Sequence, residues 1–193
     1  EQQFKRFNIH CARETRMLER AALFERALVG FDQMPDAVRA AHAPDPACEL
    51  SGEVDIDGAE SWVGGIMARM FGFPGQGRAL PASVTIERES EGEIWIRRFG
   101  TAVFESHLSA GANGLCERFG PMRFDLDARA DRNGFELSIR GARAFGVPLP
   151  RMFTPGTRAG ASVDEQGRYC FDVLITLPVV GRLVRYRGTL GPA

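Results

Sequence analysis

Apolar residues along the chain change their spacing once, near Pro81. Before this residue they recur every three or four positions, which places them on one face of a helix. This spacing predicts helices over 14–29, 35–42 and 60–71. The segment 48–56, between the last two, is the exception and is predicted to be a first strand. Gly30 is expected to end the first helix, and Pro35 to stand in the first turn of the second.

After Pro81, apolar and polar residues alternate, which is typical of strands with one buried face. Turn-forming pairs such as Asn133-Gly134 divide this region, and the whole chain has about nine or ten strands on this interpretation. The last of them are predicted over 161–165, 168–177 and 182–190. The loop over 146–150 is too rich in proline to be a central strand.

Short turns between these strands favour antiparallel neighbours. A long meander of this kind tends to curl or close, because an open sheet leaves unpaired edges. The predicted fold is therefore α+β, a curved or barrel-like antiparallel β-sheet with the N-terminal helices packed on one face or mouth. Residues 22–193 are expected to form this single domain, and residues 1–21 an N-terminal extension or linker.

Composition excludes several classes of function. The 193-residue chain carries 24 basic and 25 acidic residues, and this balance argues against nucleic acid as the main partner. No apolar run reaches the length of about 18 residues that a transmembrane helix needs. The four cysteines are far apart and match neither a zinc site nor a redox motif, so we expect free thiols in a cytoplasmic protein. These are Cys11, Cys48, Cys116 and Cys170.

Motifs for common cofactors and nucleophiles do not occur in the sequence. There is no phosphate-binding or dinucleotide-binding glycine motif, and no G-x-S-x-G turn. The three histidines, His10, His42 and His107, lack the spacing of metal ligands, so neither a cofactor nor a metal is predicted. His107 shares a predicted strand face with Glu105, where a surface contact is the ordinary interpretation and proton transfer the alternative.

One strand face places an arginine between two aromatic residues, in the order Trp95, Arg97, Phe99. An arginine in such surroundings needs an anionic or carbonyl partner, and Glu117 is the best candidate within the chain. Three interpretations stay open: a buried ion pair that fixes strand register, a polar anchor inside an apolar cavity, and an acid–base pair. The predicted ligand-binding residues are Trp95, Arg97, Phe99, Glu117, Arg118 and Tyr186.

Two further features need an explanation. Arg185 and Arg187 flank Tyr186 and point away from it, which suggests either a solvated strand edge or a site for an anionic headgroup. The helix over 60–71 is too apolar to stay uncovered, and a glycine-rich loop with Phe71 and Phe73 follows it. We expect this helix to pack against the sheet; a lid over a cavity mouth and a peripheral membrane contact are the alternatives.

Five short segments in the strand region occur in a characteristic order and spacing: Trp95–Gly100, Glu117–Pro121, Gly146–Pro150, Phe171–Val173 and Leu183–Gly188. With these segments the chain, from Leu23 to Leu190, resembles the bacterial domain-of-unknown-function family numbered 4166. The resemblance implies that the domain occurs alone, behind saccharopine-dehydrogenase-like oxidoreductases, or next to small membrane proteins. It implies no activity and no catalytic residue.

Three hypotheses for function follow. The first is a binding module that holds a small apolar or amphipathic molecule in a β-rich cavity. The second is an accessory or interaction domain of a larger, oxidoreductase-linked protein. The third, an enzyme without a cofactor that uses Glu117 with Arg97 or Glu105 with His107, ranks last, and no catalytic residue is assigned.

Overall fold

A computed structural model of the protein describes residues 22–111 and 114–193. Within these residues there are three short α-helices: α1 (Leu23–Ala27), α2 (Asp36–Ala41) and α3 (Trp62–Met70). Short 3-10 turns cover Phe31–Gln33 and Arg151–Phe153. Eleven strands make up most of the described chain: β1 (Ala47–Asp57), β2 (Gly77–Arg88), β3 (Gly92–Phe99), β4 (Ala102–Gly111), β5 (Gly114–Phe119), β6 (Met122–Asp131), β7 (Gly134–Ala144), β8 (Val147–Pro148), β9 (Gly156–Val163), β10 (Tyr169–Leu177) and β11 (Gly181–Pro192).

Ten of these strands close into a barrel. Each strand pairs antiparallel with the next along the chain, except that β7 continues to β9, and β11 returns to pair with β1. The two-residue strand β8 adds to β7 beside the barrel, in the proline-rich segment that was not expected to form a central strand. The structure confirms the predicted antiparallel, barrel-like α+β fold and shows that the sheet is closed.

Because successive strands run in opposite directions, their connections alternate between two ends of the barrel. We call the end where β1 begins the lower end; it includes the connections 89–91, 132–133 and 164–168. The opposite, upper end includes the connections 58–76, 100–101, 120–121, 145–155 and 178–180. The α3 helix belongs to the upper end.

The segment from Ala22 to His42 covers the lower end. Its apolar side chains, among them Leu23, Phe24 and Val38, are buried in the same core as the inward-facing residues of the strands. The α1 helix ends at Ala27, and Gly30 adopts a left-handed conformation (φ 90°) in the turn that follows. The part of the predicted first helix over 14–21 lies outside the described residues, as does the proposed extension over 1–21.

The barrel closes where β1 and β11 approach closely at two glycines. A Cβ atom on Gly52 would lie 2.1 Å from the carbonyl oxygen of Thr189, and one on Gly188 would lie 2.1 Å from that of Glu53. Both contacts are with backbone atoms, which cannot turn aside as a side chain can. Glycine is therefore required on both strands for this pairing.

Several predicted boundaries differ from the structure. The strand predicted over 161–165 is β9, which starts at Gly156 and ends at Val163, because Asp164 begins a turn by accepting hydrogen bonds from the backbone N–H groups of Gln166 and Arg168. β2 starts at Gly77, within the predicted glycine-rich loop.

In the described residues, no helix is long and apolar enough to cross a membrane. Cys48, Cys116 and Cys170 are free thiols, and Cys11 lies outside the described residues.

Candidate ligand-binding cavity

The barrel encloses an apolar cavity with a volume of about 170 Å³. Its wall comes from the inward-facing residues of the strands, together with residues from the segments that cover each end. Aromatic and aliphatic side chains form most of the lining, and a few polar groups interrupt it, chiefly Arg97, Glu117, His42, Tyr169 and Tyr186. An apolar cavity with a small number of convergent polar groups is typical of sites for small molecules.

Arg97 is the central polar group of this wall. Three neighbouring strands, β3, β4 and β5, present Arg97, Ser106 and Glu117 on their inner faces. The Nη1 atom of Arg97 donates to the Oγ of Ser106 (2.8 Å), and its Nη2 atom lies 3.4 Å from Oε1 of Glu117. The structure thus confirms Glu117 as the partner that the sequence predicted.

Two aromatic rings contact the guanidinium of Arg97. Its central carbon lies 4.9 Å from the ring centre of Trp95 and 5.7 Å from that of Phe104. Stacking of this kind suits the planar arginine head and fixes its orientation. Burial raises the pKa of the nearby Tyr186 to about 12, so this residue lines the cavity as a neutral phenol.

His42 and Tyr169 form the polar base of the cavity. The His42 ring has no exposed surface and stacks on Trp95, with ring centres 5.2 Å apart. Its Nε2 atom is 3.1 Å from the hydroxyl of Tyr169, while its Nδ1 atom has no hydrogen-bond partner among the described residues. Burial first, and then the charge of Arg97, lower the pKa of His42 from 6.5 to about 3, so the ring is neutral at physiological pH.

Glu93 ties the lower segment to the barrel. This buried carboxylate accepts hydrogen bonds from the indole N–H of Trp95 (3.0 Å) and from the backbone N–H of Leu23 (3.3 Å). Burial raises the pKa of Glu93, although both hydrogen bonds act in the opposite direction. The residue therefore links α1 to the strand that carries Arg97.

At the upper end, Phe71 and Phe73 contribute to the cavity wall, with their ring centres 6.0 Å apart. We call this part of the upper end, where Phe71 and Phe73 line the cavity, the mouth. The α3 helix that precedes Phe71 is fixed to the β10–β11 turn, because the Ser61 hydroxyl accepts from the N–H of Gly64 and donates to the carbonyl of Val180. The two phenylalanines thus follow a firmly placed helix.

A family model described as "Domain of unknown function (DUF4166)" matches residues 34–190, which is most of the chain. The chain belongs to this family. No curated protein matches it in sequence. The matched range contains His42 and every strand from β1 to β10, so the cavity wall with Arg97 and Glu117 is part of the DUF4166 domain itself.

The structure brings together five of the six residues predicted to bind a ligand in this DUF4166 domain. Trp95, Arg97, Phe99, Glu117 and Tyr186 all line the cavity. Arg118 is exposed on the outer face of β5, opposite His107 of β4 and Arg123 of β6. The alternation of side chains along β5 separates it from Glu117 by one position, which is enough to reverse its face.

The other predicted polar groups lie outside the cavity. His107 pairs with Glu105 (3.2 Å) on the outer face of β4. Arg185 hydrogen-bonds to Asp172 (2.9 Å), and Arg187 is 3.7 Å from Asp57. The interpretation of these arginines as a strand edge is wrong, because β11 is paired on both sides in the closed barrel.

Sequence reasoning missed two polar groups that line the DUF4166 cavity, His42 and Tyr169, and the buried Ser106, which accepts a hydrogen bond from Arg97. In the sequence His42 is one of three scattered histidines, and no local pattern indicates that the end of α2 reaches the interior of the barrel. Ser106 and Tyr169 do carry a signal, since each alternates with outward-facing residues on its strand. Tyr169 and Phe171 share one face of β10, as do Phe104 and Ser106 of β4.

Proposed function

We propose that this domain binds a small amphipathic molecule, with its apolar part in the cavity and its polar group at Arg97 and Glu117. The observation that carries the proposal is an ion pair in the wall of an otherwise apolar cavity. Interior charges are costly to bury, and here the guanidinium and the carboxylate lie beside free space instead of being packed on all sides. In the same wall His42 has an Nδ1 atom without a hydrogen-bond partner among the described residues, and this atom could serve as a second polar contact for a ligand.

The volume of the cavity limits the buried part of the ligand. About 170 Å³ is close to the roughly 150 Å³ of an engineered apolar cavity that binds benzene, and below the roughly 300–1,000 Å³ of typical drug-sized sites. The enclosed part of the ligand is therefore about as large as one ring or a short alkyl chain. A longer molecule would extend past Phe71 and Phe73 through the mouth.

The charges of Arg97 and Glu117 determine which polar group a ligand can carry. Arg97 donates and Glu117 accepts, and the pair is neutral overall. A hydroxyl or amide group can both donate and accept, so it can satisfy both partners without adding net charge. A carboxylate would be repelled by Glu117 and an ammonium by Arg97, because the interior screens charges less than water does.

Isothermal titration calorimetry with three six-carbon probes tests this proposal. We expect 1-hexanol to bind at least about tenfold more tightly than hexanoate or hexylamine, since a charge repulsion of about 1.4 kcal/mol lowers the affinity tenfold. Ala159→Leu places extra carbons in the cavity wall and should abolish binding. Ser162→Leu makes a similar change at an exposed position of the same strand and should leave binding unchanged.

Arg97→Lys tests the polar anchor separately. Lysine keeps the positive charge but loses the planar head that reaches Ser106 and Glu117 together, so hexanol affinity should fall about tenfold. Circular dichroism and thermal unfolding establish that each variant folds. If Ala159→Leu binds hexanol as the unmodified protein does, or if no probe binds at all, the cavity is not the ligand site.

A further inference from the structure

Large apolar side chains are exposed mainly at the upper end of the barrel. In α3, Trp62, Ile66 and Met70 follow one another at four-residue steps and form a single outward stripe, with Trp62 79% and Met70 80% exposed. The expected packing of this helix against the sheet therefore holds only for its other side, where Gly64 meets Val180. Isolated exposed apolar residues are ordinary, but a continuous stripe indicates an interaction surface.

Two other connections of the upper end also expose large apolar residues. Val179, at the tip of the β10–β11 turn beside α3, is completely exposed. Phe145 and Phe153, in the connection from β7 to β9, are also exposed. We call the exposed apolar residues of these three connections the upper patch. Phe71 and Phe73 lie in the same connection as α3, so the upper patch borders the mouth of the cavity.

A row of arginines stands beside the upper patch. Arg118, Arg123 and Arg143 are directly opposite one another on β5, β6 and β7. Like charges in this arrangement destabilise a sheet. Asp125 pairs with Arg143 (3.1 Å), whereas Arg118 and Arg123 have no acidic partner in the described part of the chain. The backbone N–H of Phe145 donates to the carbonyl of Pro121, which joins the row to the upper patch.

The lower end has the opposite character. Its connections carry the acidic residues Glu89, Glu91, Asp164 and Glu165 and the basic residues Arg132 and Arg168, of which Arg168 is paired with Asp164. In the described chain this end exposes one large apolar side chain, that of Val29. In the described chain, exposed apolar residues are thus concentrated at the upper end, which also carries the row of three adjacent arginines, whereas the connections of the lower end are mainly acidic.

We propose that the upper end docks on an anionic lipid bilayer. The apolar side chains of the upper patch enter the headgroup region, and the arginine row contacts the lipid phosphates just outside it. A bilayer presents acyl chains beneath a layer of negative charge, which matches this order of apolar tips and basic strand ends. Docking also places the mouth against the membrane; the consequence, that an amphipathic ligand passes between bilayer and cavity, rests on the proposed function above.

Vesicle flotation tests the docking. We expect the protein to float with phosphatidylcholine vesicles that contain about 30% phosphatidylglycerol and to stay behind with phosphatidylcholine alone. Binding should weaken strongly in about 0.5 M NaCl, where the charges are screened. Brominated lipids should quench Trp62 fluorescence in the bound state, and this quenching should be absent in Trp62→Ser.

Matched variants at the two ends of the barrel identify which end binds the vesicles. Arg118→Gln with Arg123→Gln should lower the partition coefficient about 25-fold, because each arginine near an anionic surface is worth about fivefold. Trp62→Ser should lower it about tenfold. At the lower end, Arg132→Gln and Val29→Ser make the same kinds of change at exposed positions and should have no effect.

Other results would overturn the docking. It is wrong if the protein does not float with anionic vesicles at low salt, or if the lower-end variants weaken flotation as much as the upper-end ones. It is also wrong if analytical ultracentrifugation shows a homodimer that Trp62→Ser dissociates, since a second copy then covers the upper patch. Hexanol binding is measured without vesicles, so the ligand proposal and the docking proposal can fail independently.

Discussion

Among single residues, His42 has the clearest energetic consequence. Its ring has no exposed surface, contacts the hydroxyl of Tyr169, and lies in the same interior as the positive charge of Arg97. The low pKa of about 3 means that the folded protein holds this ring neutral under conditions where an unfolded chain would protonate it. Acid should therefore destabilise the fold through His42.

We expect the contribution of His42 to the free energy of unfolding to be complete above about pH 6.5 and to fall as the pH decreases toward 3. Between pH 7.5 and 5 the loss should be about 2 kcal/mol, because the unfolded state gains a proton that the folded state does not. Urea unfolding at both pH values measures it.

The comparison variant is His42→Phe, which keeps a ring in the cluster but cannot titrate. Glu93, whose pKa is raised by burial, stabilises the folded state at low pH and remains in both proteins, so the difference between them isolates His42. His107→Phe, on the outer face of β4, serves as the control. Equal pH dependence in the unmodified protein and His42→Phe would contradict this assignment.

The Arg97–Glu117 pair and the position of His42 show where residue-level prediction works. Alternation along β3 and β5 placed both charged residues on faces with aromatic neighbours, and the cost of burying one charge alone predicted the other as its partner. His42 is at the end of a helix, and its place in the wall depends on how that helix docks against β9 and β10. Such docking depends on the packing of distant segments and leaves no local pattern.

At the scale of elements, the closing pair of strands decides whether the sheet is a barrel. Gly52 and Gly188 let β1 and β11 approach so closely that each faces a backbone oxygen of the other strand. Closure pairs the two strands that an open sheet would leave as edges.

Gly188→Ala should destabilise the protein by about 3 kcal/mol, because the new Cβ would overlap the carbonyl oxygen of Glu53 and the strands would have to separate. Gly191→Ala, on the same strand, meets no atom within 4 Å and should change the stability by about 0.5 kcal/mol or less. Chemical denaturation gives both values. A similar loss in the two variants would show that glycine is not needed for close approach here.

Strand prediction from the sequence was accurate because a period of two is a strong signal wherever one face of a sheet is buried. β10 begins and ends within one residue of the predicted range 168–177. The sequence does not decide whether the sheet closes into a barrel. A glycine inside a strand indicates a close approach, but not which other strand it approaches. The α3 helix was located correctly, yet its apolar stripe faces outward, which its own periodicity does not reveal.

The whole molecule is a barrel whose two ends differ. The lower end is covered by a segment whose Phe24 has no exposed surface and packs between the rings of His42 and Phe135, with ring centres 4.5 and 5.2 Å away. The upper end holds the mouth and exposes apolar groups.

Phe24→Ala should cost about 3–5 kcal/mol of stability and open the lower end, since no other ring of α1 takes its place. Acrylamide should then quench the fluorescence of Trp95 more strongly. The measurement is made in a Trp62→Phe background, so that Trp95 is the only source of tryptophan fluorescence. Val29→Ala, at an exposed site of the same segment, is the control. Unchanged quenching in a folded Phe24→Ala protein would mean that Phe24 does not close this end.

An even number of strands in an up-and-down barrel has a geometric consequence for anything joined to it. With ten strands, the chain enters β1 and leaves β11 at the same end, where Ala193 donates its N–H to the carbonyl of Glu49. A domain attached before or after the barrel would therefore be joined at the lower end, on the side opposite the mouth. Parity therefore lets the barrel work as a terminal or internal module without its own neighbours blocking entry to the cavity.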